Sequence, residues 1–133
     1  MSIEITQRED EGIQILDLKG RLTFGPEDLQ FRAELDQLTG AGKTRVVLNL
    51  EHLHEIDTTG LGTLLFALAK FRKACGDLAL VNLKPAHMQV VVEARLAAVF
   101  PIFKEDQDAI NSFFPDRKVP HYDILQFVRA NEK

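Results

Sequence analysis

The sequence predicts an α/β fold: a mixed, mostly parallel sheet with an N-terminal antiparallel hairpin, helices packed on it, and one extra C-terminal helix. Three observations predict it. Ile3 and Ile5 alternate with Glu4 and Thr6 at the two-residue period of a half-buried strand, just ahead of a turn-forming cluster. From Thr23 onward, helical and strand patterns alternate, which favours α/β layering with a largely parallel sheet. Residues 46–50 and 78–83 are short aliphatic runs, as expected of strands covered on both faces.

The elements follow in order. Glu9-Asp10-Glu11-Gly12 reads as a turn, and residues 13–19 as the second strand of the hairpin. Gly25-Pro26-Glu27-Asp28 starts the first helix: proline suits the first helical position and acids suit the first turn. Phe31, Leu35 and Leu38 then share one face, and Gly40 and Gly42 stop the helix. After the strand at 46–50, a second helix is predicted over about 58–75 and a strand over 78–83. A third helix over 85–96, a short strand over 100–103 and a fourth helix over 106–114 complete a domain spanning residues 1–114.

The extension, 115–133, differs. Pro115 and Pro120 bracket a polar connector, beyond which residues 122–131 carry Ile124, Leu125, Phe127 and Val128 at amphipathic helical spacing. Such a helix packs on its own domain or meets a partner, a second copy in a homodimer included.

Charge and composition exclude several functions. The 133 residues carry 16 Lys+Arg against 20 Asp+Glu, a net charge of −4, with no basic block to attract nucleic acid or anionic lipid. Cys75 is the single cysteine, which rules out an internal disulfide and fits a reducing compartment. The N-terminus shows no secretory pattern, and the longest apolar run, residues 96–103, is short and holds Pro101. A cytoplasmic protein with no membrane partner is expected.

Motifs for catalysis fail on inspection. Gly42-Lys43-Thr44 resembles the end of a phosphate-binding loop, but Gln37 stands where the first glycine belongs, and the segment joins helix to strand rather than strand to helix. Gly60-Leu61-Gly62 opens a helix, but Leu65 replaces the third glycine of a dinucleotide fingerprint. His52 and His54, read as loop residues, have Glu55 and Asp57 nearby but lack the second histidine of a zinc-protease helix. His87 and His121 are isolated, and neither Ser2 nor Ser112 sits in a nucleophile elbow. No enzyme, cofactor or metal is expected.

The informative stretch is Asp57-Thr58-Thr59-Gly60-Leu61-Gly62 at a strand-to-helix junction. One of Asp57, Thr58 and Thr59 caps the helix. Two glycines in its first turns, each costing roughly 1 kcal/mol against alanine, imply a close approach to that backbone. At about 100° per residue, Leu61, Leu64, Leu65, Leu68, Phe71 and Cys75 should face the sheet. Thr59, Gly62, Thr63, Phe66, Lys70 and Lys73 should face outward. Phe66 is the odd member of that second face, either covered by a neighbour such as the C-terminal helix or serving as a protein-docking anchor.

This element order and the Asp57–Gly62 stretch resemble the STAS domain, and more narrowly the bacterial anti-sigma-factor antagonists. The resemblance covers roughly residues 3–114. It implies a STAS-like fold and phosphorylation of the second hydroxyl residue, Thr59, with Thr58 the second choice, by an anti-sigma factor serine/threonine kinase. It also implies a partner-binding surface of Asp57, Thr58, Gly60, Gly62, Thr63 and Phe66, flanked by Arg21, Thr23 and Phe24. Family members usually carry Ser at the position of Thr59. Many read Gly-x-Leu-Asp where this chain has Gly20-Arg21-Leu22-Thr23. The family also contains constitutive adaptors, stressosome-type scaffolds and lipid-transporter subunits.

Overall fold

A computed structural model describes residues 3–120 and 122–131. Ser2 and His121 lie outside the described residues. Five strands form one sheet in the order β1-β2-β3-β4-β5, with β1–β2 antiparallel and every later pair parallel.

The hairpin joins β1 (Ile3–Asp10) to β2 (Ile13–Leu22). Its turn is narrower than the sequence suggests, because Glu9 and Asp10 remain paired with Gln14 and Ile13. Only Glu11 and Gly12 turn, both at positive φ (53° and 81°), the two-residue geometry whose twist matches flanking strands. Glu11 is a rare residue for that conformation, and it is held in place by an ion pair with Arg117 at 2.8 Å.

Helix α1 (Pro26–Gly40) leads into β3 (Arg45–Ile56), which runs six residues past the expected end. The register against β2 slips twice, between Asp17 and Lys19 and between Gly20 and Arg21, each time placing an extra residue in β3. These bulges change the burial spacing: Leu50, Leu53 and Ile56 are buried at intervals of three rather than two. His52 and His54 therefore stand on a strand, not on a loop.

Helix α2 (Thr58–Lys73), β4 (Asp77–Val81), α3 (Pro85–Glu93), β5 (Ile102–Phe103) and α4 (Asp106–Asn111) follow. Both α2 and α3 end earlier than predicted. Their stops are Cys75 and Arg95, left-handed at φ 66° and 62°. Behind them Gly76 N bonds to Phe71 O at 2.7 Å, and Leu96 N to Val91 O at 3.0 Å. These are Schellman closures built without glycine at the left-handed position.

Because strand order follows chain order, right-handed crossovers put α1, α2 and α3 on one face of the sheet. There Phe31, Leu64, Phe71 and Met88 meet Leu16, Leu48 and Leu80 in the main core. Helix α4 covers the opposite face, where Ala109 and Ile110 pack on Ile15, Val47 and Val81. The tail then returns to the first face. Tyr122 N donates to Ile102 O at 3.2 Å on the sheet edge. Helix α5 (Ile124–Ala130) buries Ile124 and Val128 in the main core. None of the helices among the described residues is long and apolar enough to cross a membrane.

Candidate functional site

The carboxyl ends of β2 and β3 and the first turn of α2 form one junction. Asp57 is the helix cap: its Oδ1 accepts from Gly60 N at 2.9 Å, satisfying one orphan amide. Thr58 is exposed and Thr59 half-buried, and neither hydroxyl bonds to another described residue. Arg21, from the end of β2, pairs with Glu55 at 2.7 Å beside them. Thr23 is half-buried, and Phe24 is 80% exposed.

The two glycines have different reasons. A Cβ on Gly60 would stand 2.4 Å from Leu22 O and 3.0 Å from the side chains of Leu22 and Ile56. The close approach there comes from the protein's own strand end. At Gly62 a Cβ would meet nothing within 4 Å, so no internal packing accounts for that glycine.

The outward face of α2 is rotated by about 60° from the one the sequence suggests. Thr58, Gly62, Leu65, Phe66 and Ala69 are exposed, with Phe66 at 61% and Leu65 at 38%. Leu65, expected against the sheet, is therefore outward. Cys75, expected on the same buried side, is exposed past the helix end. Thr63, expected outward, is 1% exposed. Its hydroxyl lies between Asp28 Oδ1 and the Thr59 carbonyl, and Arg32 Nε donates to Asp28 Oδ2 at 2.8 Å. Lys70 likewise pairs with Asp36 of α1 at 3.1 Å. The physical reason is α1, which lies along one flank of α2 and claims the side chains there; a wheel drawn against the sheet alone omits it. Phe66 is not covered by the C-terminal helix, which packs on α3 instead.

One exposed apolar residue of this region is not among those the sequence singles out. Leu29, in the first turn of α1, is 68% exposed. Its position off the Phe31/Leu35/Leu38 stripe is the sequence signal for that exposure. Phe24, Leu29, Leu65 and Phe66 are four of the five exposed large hydrophobics among the described residues.

Away from this junction, His87 is buried on α3 with no partner at Nδ1 among the described residues. Burial pushes its pKa down, although the nearby His54 carbonyl favours the charged form. On the opposite face of the sheet, Asp17 accepts from Arg8 at 2.7 Å and from Asn49 at 2.8 Å. Burial alone would raise its carboxyl, but these donors outweigh burial and hold it below the ordinary range.

The family model for the STAS domain matches residues 4–109. The chain belongs to the STAS domain family. The match stops within α4, so α5 lies outside it. A Bordetella bronchiseptica protein, BtrV, designated an anti-sigma factor antagonist, is 29% identical over 111 residues, covering 84% of this chain and 95% of its own. The crystal structure of a Thermotoga maritima protein of the same designation superposes with a TM-score of 0.76 at 19% identity, over 81% of this chain and 92% of that one. The Bacillus cell fate determinant SpoIIAA in its phosphorylated form gives 0.64 at 20% identity, over 83% and 99%. These similarities place the five-stranded sheet and its helices within the STAS fold.

Proposed function

We propose that this STAS domain protein is an anti-sigma-factor antagonist working by partner switching in the cytoplasm. Unmodified, it binds an anti-sigma kinase; phosphorylation at Thr59 releases it. The carrying observation is that the Thr58 and Thr59 hydroxyls bond to no other described residue at the first turn of α2, at the head of an exposed apolar strip. Relatives designated anti-sigma factor antagonists support the same reading.

The docking face is Thr58, Gly62, Leu65 and Phe66 on α2, with Phe24 on the adjoining loop and Arg21 and Thr23 at its edge. Phosphate on Thr59 adds about −1.5 to −2 charges at neutral pH. A helix N-terminus favours an anion by roughly 0.3–1 kcal/mol, so the modified helix stays folded. The switch acts through charge and bulk on the partner's side of the contact. Thr58 is the more exposed of the pair and is the second candidate acceptor.

The test is incubation with the cognate kinase and ATP, followed by intact-mass measurement and a pull-down. One phosphate is expected, mapping to Thr59. Thr59→Ala should hold the kinase permanently and Thr59→Glu should lose it, both melting as the wild type does. No gain in mass would favour a constitutive adaptor, and a Thr59→Glu protein that binds like wild type would overturn the switch.

A further inference from the structure

The Asp57 carboxylate serves two donors from two different elements. Oδ1 accepts from Gly60 N on α2, and Oδ2 accepts from Phe24 N on the β2–α1 loop, each at 2.9 Å. Capping alone needs one acceptor, which Ser, Thr or Asn supplies as well as Asp. Two converging N–H groups need two acceptors, and among capping side chains only the carboxylate has two acceptor oxygens. The residue type therefore answers a demand that capping does not make.

The end of β2 that leads into this loop is fixed to the start of α2 twice more. Asp57 N donates to Leu22 O at 3.3 Å, and Gly60 packs directly beneath that carbonyl. At the tip of this fixed loop Phe24 stands almost bare. An exposed aromatic on a mobile loop loses freedom when a partner orders it. Here the order exists beforehand, and the Phe24 amide bond to Asp57 is its last link.

We propose that Asp57 is a positioning residue, a latch holding Phe24 ready for a protein partner, and that a phosphate on Thr59 opens it. The second half rests on the phosphorylation reading above. In that step the γ-phosphorus of ATP forms a bond to the Thr59 oxygen as its bond to the β–γ bridging oxygen breaks, ADP leaves with that electron pair, and the hydroxyl proton passes to solvent. The resulting anion stands two residues from Asp57, at a terminus whose few free N–H groups favour one anion. It competes for Gly60 N–H and repels the carboxylate, which swings away and leaves Phe24 N without its acceptor. One modification thus blocks the α2 face and releases the loop anchor together.

The test is residue-resolved amide hydrogen exchange on three proteins: wild type, Asp57→Ser, and protein with phosphothreonine incorporated at position 59. Asp57→Ser keeps one acceptor for Gly60 N and has none for Phe24 N. Exchange at Phe24 should quicken by about tenfold or more while Gly60 stays protected. A structural role in the helix alone would move Gly60 and leave Phe24 unchanged. The phosphorylated protein should show the same rise at Phe24 with the rest of α2 still protected. Unchanged Phe24 exchange in Asp57→Ser would overturn the latch, and unchanged exchange in the phosphorylated protein would overturn its opening. Installing the phosphate directly separates this from the kinase reading, whose failure appears as no gain in mass on incubation with ATP.

Discussion

The two ends of this molecule treat their aromatic side chains in opposite ways. In the tail, Arg117 lies 4.1 Å over the Phe114 ring, and Tyr122 meets Phe127 edge-on at 6.3 Å under Lys104. Phe113 and Phe114 pack on the smaller core. At the α2 junction, Phe24 and Phe66 are exposed and touch no other ring or cation among the described residues. Aromatic burial is among the largest hydrophobic contributions a side chain can make. A fold that closes its tail with aromatics and leaves two bare around one helix start would, on the proposed function, separate stability from recognition. Substitutions of buried side chains in the tail should act on melting, and substitutions of the bare aromatics at the junction on binding.

The contrast breaks if either set crosses over. Ile124→Ala empties a fully buried position on α5, and a loss of about 3 kcal/mol is expected in denaturant unfolding, with partner affinity unchanged. A loss below about 0.5 kcal/mol would mean that α5 is not part of the core. Gly60→Ala belongs to the junction by position but to the core by contact. Forcing a Cβ against Leu22 O should cost about 2–3 kcal/mol, read by the same titration. Phe66→Ala should leave stability within about 0.5 kcal/mol of wild type. Its effect is expected in affinity for the partner, a weakening of about 2 kcal/mol, or roughly thirtyfold, measured by calorimetry.

Most of the fold is legible in the sequence because its signals are local. The Phe31/Leu35/Leu38 stripe, the Pro26 start and the two-sided runs at 46–50 and 78–83 each carry their own periodicity. What is not legible depends on residues distant in the chain. The far half of β3 is hidden because bulges against β2 replace alternation with a spacing of three. The ends of α2 and α3 are hidden because Cys75 and Arg95 take a conformation that usually announces itself as glycine. The candidate site divides the same way. Asp57 as a cap and Thr58-Thr59 at the helix start follow from local chemistry. The inward turn of Thr63 follows from Asp28, 35 residues earlier. The reason for Gly60 lies in a carbonyl on β2.

Gly62 gives the smallest effect and the sharpest discrimination. Its missing Cβ points into open space, and glycine inside a helix costs up to about 1 kcal/mol against alanine. Gly62→Ala should therefore raise the melting temperature by about 3–4 °C, the opposite sign from Gly60→Ala. A glycine that lowers stability without relieving a contact among the described residues fits the proposed function, in which a partner rests on the bare backbone between Thr58 and Phe66. If the proposed docking face is right, the stabilised variant should bind the proposed kinase partner more weakly, since the added methyl group stands on that face. If melting rises and affinity holds, Gly62 has no part in docking, and the contact surface shifts toward Leu65 and Phe66.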